Sequence, residues 1–251
     1  MIRHQSILDE LQKKGYMSVS ELCDKFKVSS VTIRKDLKLL EKKGLLFKTH
    51  GGASIHNPYI NERNVSEKEN INVDEKKAIA REAVKLIEPN DDIMIASGTT
   101  MQALAYEINM EQNLNIITSS LNVSIELTKS PYFNILQLGG NVRHSSSSVT
   151  GHFSTSVLDN ISCNLLFLGV DGIDLEFGCT TTSLEEAVLN KNMIKSAQKV
   201  IVLADSSKFN KKGFGKICDL MDIQHIITDS GINNAIVQEI RGRGIEMTVA
   251  S

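Results

Sequence analysis

The sequence predicts an α/β protein in two parts. Residues 1–55 read as a winged helix-turn-helix, residues 73–251 as an α/β domain on a mostly parallel sheet, and residues 56–72 as a linker. Three observations predict this. The first 55 residues hold a capped helix, a tight turn, a second helix with a basic front and a glycine turn between two short strands. From Ile93 onward, short continuous apolar strands alternate with helical patterns, as in a parallel sheet covered on both faces. Charge is divided unevenly: residues 1–55 carry eleven Lys+Arg against six Asp+Glu, a net of +5, whereas the whole chain is −2. Such asymmetry points to one part made for a polyanion.

Residues 2–14 form a first helix, with Ile7, Leu8 and Leu11 at helical spacing and Gly15 as its stop. Ser18-Val19-Ser20-Glu21 is a capping-box pattern opening a helix to about Phe26. Lys27-Val28-Ser29 is a tight connection. In the next helix Ile33, Leu37 and Leu40 share one face, and Leu39 is expected to widen it. Thr32, Arg34, Lys35 and Lys38 fall outside that face. Ser29 or Ser30 caps the start, and Gly44 ends the run. A strand at Leu45–Lys48, a turn at Thr49-His50-Gly51-Gly52 and a second strand form the wing, with Lys48 and His50 expected at its tip. The candidate DNA-facing residues are Ser29, Ser30, Thr32, Arg34, Lys35, Lys38, Lys48 and His50.

The linker assignment rests on the polar composition of residues 56–72, with Pro58 and several Asn. Val73–Ile87 is a helix broken at Pro89-Asn90-Asp91. Strands follow at Ile93–Ala96, Ile116–Thr118, Phe133–Leu138, Leu165–Val170, Val200–Ala204, His225–Thr228 and Glu246–Val249. Helices lie between them, at Thr100–Ile108, Leu121–Leu127, Leu184–Ala197 and Ala235–Arg241. Ser145–Ser148 reads as a mobile loop.

In open parallel sheets, ligands bind beyond the carboxyl ends of the strands. Five polar or glycine-rich segments fall there. Ser97-Gly98-Thr99-Thr100 offers hydroxyls and free amides at a helix start, which suits a phosphate or carboxylate. Ser119 and Asn122 open the next helix. Gly139 and Gly140 with Arg143 make a turn plus a cation. Asp171 and Gly172 follow the fourth strand, and Asp205 with Lys208 the fifth. Thr181 lies in a threonine run. Each segment alone is also what an ordinary capped turn looks like; together they offer cations for an anion and hydrogen-bonding groups for sugar hydroxyls.

Composition narrows the classes further. At 41 % hydrophobic residues, 251 residues can fill two cores. No stretch approaches a membrane span in length, and Met1-Ile2-Arg3-His4-Gln5 leads into no signal segment. Cys23, Cys163, Cys179 and Cys218 are far apart and form no C-x-x-C pair. They read as reduced thiols of a cytoplasmic protein, with no disulfide and no metal expected. No cofactor is expected.

Ser29-x-x-Thr32-Ile33-Arg34-Lys35-Asp36-Leu37, followed by Leu40-Glu41, Gly44 and His50-Gly51-Gly52-Ala53, resembles the DNA-binding head of DeoR-family bacterial regulators. The resemblance continues through the second domain, at Ser97, Gly98, Thr99, Thr100, Gly139, Gly140, Arg143, Asp171, Gly172, Asp205 and Lys208. It implies a sensor domain folded like ribose-5-phosphate isomerase, a phosphorylated sugar effector, operator DNA as partner, and a sugar-operon repressor that lets go when the effector binds. Family members often carry a lysine where Asn190 stands here, with Lys191 beside it. The run from Thr180 to Asn190 is similar to a subset that includes regulators of N-acetylgalactosamine operons, which points to a phosphorylated amino sugar or hexose derivative. Paired half-sites imply a homodimer or homotetramer.

The competing class is a sugar-phosphate isomerase fused to a DNA-binding head. Isomerisation needs a base near the C–H beside the carbonyl. The ribose-phosphate isomerases use a glutamate that spacing places at position 190, and Asn190 cannot take that proton. Glu185 and Glu186 lie about one turn upstream and stay open as bases. A pure oligomerisation domain would leave the polar strand-end cluster without a role.

Overall fold

The computed structural model describes residues 2–49, 51–54 and 64–251. They divide into two compact units, Met1–Asn61 and Glu62–Ser251.

The first unit contains α1 (Ile2–Lys14), β1 (Tyr16–Ser18), α2 (Val19–Phe26), α3 (Ser30–Lys42), β2 (Phe47–Thr49) and β3 (Gly52–Ser54). Ser18 and Glu21 form the expected capping box on α2, each side chain accepting from the other's backbone. Lys27 turns left-handed at φ 52°, which lets α3 start three residues later. Gly44, at φ +69°, ends α3 in a conformation only glycine adopts without strain. Ile7, Leu11, Met17, Leu22, Ile33, Leu37, Leu40, Leu46 and Ala53 form the core.

Two expectations change here. Leu39 is 45 % exposed rather than part of the apolar stripe. At 3.6 residues per turn it sits about 200° round from Leu37, between Lys35 and Thr32. Lys48 is not at the wing tip: it pairs with Ala53 inside β2, one residue before the Thr49–Gly52 pair. His50 lies outside the described residues. The three-residue β1 joins the wing, giving the order β1-β3-β2.

The second unit begins with α4 (Val65–Glu69) and α5 (Val73–Val84). It continues through β4 (Asp92–Ile95), α6 (Thr99–Glu107), β5 (Leu114–Thr118), α7 (Leu121–Leu127), β6 (Phe133–Gln137), β7 (Asn141–Arg143), β8 (Ser148–Thr150) and α8 (His152–Leu158). After these come β9 (Cys163–Gly169), β10 (Gly172–Asp174), β11 (Gly178–Thr181), α9 (Leu184–Lys195) and β12 (Ala197–Leu203). The last elements are β13 (Gly215–Cys218), β14 (His225–Asp229), α10 (Asn234–Gly242) and β15 (Glu246–Ala250). The main sheet runs β15-β14-β12-β9-β4-β5-β6, with every pairing parallel. Both faces are buried. Along β9, Leu166 and Leu168 join one core while Phe167 joins the other; along β12, Val200 and Val202 oppose Ile201 and Leu203. Strand alternation puts successive side chains on opposite faces, so an all-apolar strand needs cover on both.

Three further differences concern short elements. Residues 65–69, read as linker, are helical, and Lys68 among them bonds to Asp171. Ser145–Ser148 is not a mobile loop but the tight turn of a β7–β8 hairpin. Ser147 takes φ +47° there, Ser145 O accepts from Val65 N at 2.7 Å, and Ser147 O accepts from Leu121 N at 2.9 Å. A small antiparallel sheet, β10-β11-β13, sets Cys179 directly opposite Cys218 as free thiols, although 38 intervening residues separate them in sequence. Among the described residues, no helix is long and apolar enough to cross a membrane.

Candidate functional site

Two groups of predicted residues take shape, one in each unit. In the first, Ser29 caps α3: its Oγ accepts from Thr32 N at 3.3 Å and lies 3.0 Å from Thr32 Oγ1. Ser30 begins the helix. Arg34, Lys35 and Lys38 are exposed, and Thr32 is half-buried. None of the three cations has an ion-pair partner among the described residues. Val31 and Leu39, both exposed, share this outer arc.

Asp36 is the one acid within α3 before its last turn, and it does not oppose this basic face. It is buried against α1, where Arg3 donates to it through Nε at 2.7 Å and Nη2 at 3.2 Å, and His4 Nε2 lies 2.8 Å from Oδ1. Burial pushes the Asp36 carboxyl up, but the bonds from Arg3 and His4 outweigh it and hold the pKa below its ordinary value. Ahead of its last turn the helix therefore shows only positive charge outward. Lys48 donates its amide to Glu41 Oε1 at 2.9 Å, which ties β2 to the end of α3.

In the second unit the strand order reverses between β4 and β9: β5 and β6 extend one way, and β12, β14 and β15 the other. The crevice at such a switch point is the usual ligand position of an open parallel sheet. Ser97–Thr100 follows β4, Asp171 and Gly172 follow β9, and Asp205–Lys208 follows β12. Gly98 caps α6 at φ +120°. The amides of Thr99, Thr100 and Met101 precede the first intrahelical bond, Gln102 N to Gly98 O at 3.0 Å. Such amides are free donors for an anion.

Glu186, on α9, gathers two of the predicted residues, Ser97 and Thr181. Ser97 Oγ donates to its Oε1 at 2.8 Å. Thr181 Oγ1 lies 3.1 Å from both Glu186 Oε2 and Asp171 Oδ2, and can donate to only one at a time. Thr182 N donates to Asp171 Oδ2 at 3.2 Å, and Lys68 Nζ donates to Asp171 Oδ1 at 2.8 Å. Burial alone would raise the Asp171 carboxyl. The Lys68 and Lys208 ammoniums and these hydrogen bonds reverse that and hold it down to about 2. Asp205 accepts from Asn72 Nδ2 at 2.9 Å and from Ser207 N at 3.0 Å. Lys208 is half-buried, acts electrostatically on both aspartates, and has no hydrogen bond or ion pair among the described residues. Arg143 donates to Ser183, the cap of α9, and to Ser146 Oγ at 3.4 Å.

The remaining predicted residues hold the walls. Gly140 packs so tightly that a Cβ there would lie 2.3 Å from Thr150 O, and Gly139 O accepts from Ser154 Oγ. Ser119 is buried, and its carbonyl accepts from Val149 N at 2.9 Å, with Asn122 in the first turn of α7. Gly172 lies where a Cβ would be 2.5 Å from Lys211 O.

Sequence reasoning missed Lys68, Asn72 and Lys76, because the first two fall in the supposed linker. Val65, which is buried, is the one local apolar signal that could have flagged that stretch as packed. It considered Glu186 only as a possible base; Ser183-x-x-Glu186 is a cap pattern that marks the start of α9, and Ser183 Oγ accepts from Glu186 N at 3.4 Å.

Comparison with known proteins adds the following. A family described as the DeoR-like helix-turn-helix domain matches residues 3–58, and one described as the DeoR C terminal sensor domain matches residues 71–230. The chain is 36 % identical over 248 residues to an Escherichia coli O157:H7 protein named "Putative aga operon transcriptional repressor", covering 98 % of this chain and 92 % of that one. It is 34 % identical over 230 residues to the lactose phosphotransferase system repressor of Staphylococcus epidermidis, covering 89 % and 91 %. A solved ribose 5-phosphate isomerase A from Methanocaldococcus jannaschii gives a TM-score of 0.42 at 19 % identity over 55 % of each chain.

Proposed function

The chain belongs to the DeoR family of transcriptional regulators, and from that premise we propose that it represses a sugar-utilisation operon and releases its operator when a phosphorylated sugar enters the β4–β9 crevice. The observation that carries the effector reading is Lys208. Its side chain is a half-buried ammonium without a bond among the described residues, within the field of Asp171 and Asp205. A partly desolvated cation of this kind gains most from an anionic ligand, because charge-assisted hydrogen bonds are the stronger kind. Arg143 supplies a second positive charge, and Ser97, Thr181 and Asp171 supply partners for hydroxyls. The relatives' names support a sugar operon, and the Thr180–Asn190 run favours an amino-sugar or hexose phosphate.

On DNA, α3 enters the major groove. Thr32, Arg34 and Lys35 face bases or phosphates, and Ser29, Ser30, Lys38 and Lys48 contact the backbone. Val31 and Leu39 suit thymine methyl groups. The protein acts in the cytoplasm as a homodimer or homotetramer on paired half-sites. It is a regulator and not an isomerase. Position 190 is a buried asparagine, Glu186 is engaged by Ser97 and Thr181, and Glu185 accepts from Thr150 Oγ1 at 3.2 Å.

A thermal-shift comparison tests the effector reading. A ligand that binds only the folded state stabilises it by about 2.7 kcal/mol at a hundredfold excess over Kd. Hexose 6-phosphates and hexosamine 6-phosphates are expected to raise the melting temperature, and the parent sugars at equal concentration to leave it unchanged. Equal shifts from sugar and sugar phosphate contradict a site built around Lys208 and Arg143.

A further inference from the structure

We propose that residues 64–76 are a strap across the effector crevice, and that Lys68 is its movable anion ligand, held by Asp171 until the anionic group of the effector takes it. This inference rests on the reading of the β4–β9 crevice as the effector site.

The strap is fastened to three walls of the crevice. Val65 N donates to Ser145 O at 2.7 Å, on the β7–β8 turn. Lys68 Nζ donates to Asp171, after β9, at 2.8 Å, and Asn72 Nδ2 to Asp205, after β12, at 2.9 Å. From behind, the buried Lys76 Nζ donates to Lys68 O and Ile71 O, both at 2.6 Å. Apolar burial contributes little. Val65 is buried, whereas Ser66, Glu67, Glu69, Asn70 and Ile71 are exposed. A five-residue helix does not hold itself in water. The strap therefore stays in place through charged and polar bonds, and these respond to charge brought into the crevice.

Lys68 and Lys208 act electrostatically on Asp171, and Lys208 and Lys76 face Asp205. Burial pulls the Lys76 ammonium down to about 8, against the opposing pull of Asp205. A phosphate ester brings between one and two negative charges to these ammoniums. Lys68 then faces two anions. Asp171 keeps Thr182 N, the Thr181 hydroxyl and the nearby Lys208 when Lys68 leaves, so its carboxylate is not stranded. The phosphoryl oxygens bring more charge than the single Asp171 carboxylate. Lys68 O is one of the two acceptors of Lys76, so a shift of Lys68 also disturbs that clamp. In sequence, Val65 follows the boundary between the two units at Asn61/Glu62 by three residues. Effector binding thereby acts on the segment that leads to the helix-turn-helix.

Amide hydrogen exchange on the full chain tests this, with galactose 6-phosphate and galactosamine 6-phosphate as probes and inorganic phosphate beside them. Adding a phosphate ester that produces a thermal shift is expected to speed exchange at Val65, Lys68 and Ile71 several-fold. Lys68→Met is expected to show that faster exchange without ligand and to bind the ester at least about tenfold more weakly. Lys68→Arg, which keeps the charge, behaves as the parent protein. An ester that binds yet leaves exchange over 64–72 unchanged or slower overturns the strap alone, as does parental affinity in Lys68→Met. If no phosphate ester binds, the effector reading and the strap fall together.

Discussion

Lys208→Ala is expected to give a repressor that holds its operator and no longer lets go. The side chain makes no hydrogen bond or ion pair among the described residues, so its loss should cost the fold little beyond its electrostatic support of Asp171 and Asp205. Operator affinity without effector should stay near the parental value. What disappears is the cation that an anionic ligand needs, and a hydrogen bond to a charged group contributes about 1.5–3 kcal/mol. Effector affinity should fall roughly ten- to a hundredfold or more, and sugar phosphate at concentrations that release the parent protein should leave the variant bound in a mobility-shift assay. Release at parental concentrations would remove Lys208 from the site. Asp171→Ala is expected to be uninducible too, but it is the less clean test. It deprives Lys68, Thr181 and Thr182 of their shared acceptor and leaves Lys68 half-buried without its ion-pair partner.

The second large effect lies on the DNA side. Arg34→Ala is expected to weaken operator binding by about 1–3 kcal/mol and to relax the preference at one base position. Arg34 is exposed and off the Ile33–Leu37–Leu40 face, so the helix itself should survive. Lys35→Ala or Lys38→Ala, if these contact phosphates, should weaken all sequences alike and reduce the salt dependence by about one counterion each. Unchanged operator affinity in Arg34→Ala, measured at the same salt concentration, would remove α3 from the groove.

Much of the fold could be read from the chain, for identifiable reasons. The capping box at Ser18–Glu21, the 33–37–40 stripe and Gly44 are local signals, and local geometry decided each of them. The main strands were found because β4, β9 and β12 are apolar on both faces. The missing pieces lacked that signal. The β7–β8 hairpin and the β10-β11-β13 sheet are built from three- and four-residue strands too short to show an alternating pattern, and their pairing is fixed by tertiary contact. Leu39 was misplaced because composition suggested a wider stripe where helical geometry turns the residue outward. Residues 65–72 looked like a solvated linker. Lys68 and Asn72 in fact meet Asp171 and Asp205, more than a hundred residues away, and no local pattern encodes a partner at that distance. The same holds for Arg3 and Asp36, whose pairing across α1 and α3 explains why an acid sits within a basic helix.

The central claim is that the second unit controls the first through a ligand. Effector and operator must then oppose each other by equal factors, because coupling between two binding sites is reciprocal. Titrating a binding sugar phosphate into the protein, alone and saturated with operator, tests this most directly. The account predicts that operator weakens effector affinity by the same factor as effector weakens operator affinity, on the order of 5–150-fold. Identical effector affinity in the two titrations would contradict it, since a ligand with no preference between the two arrangements cannot shift one into the other.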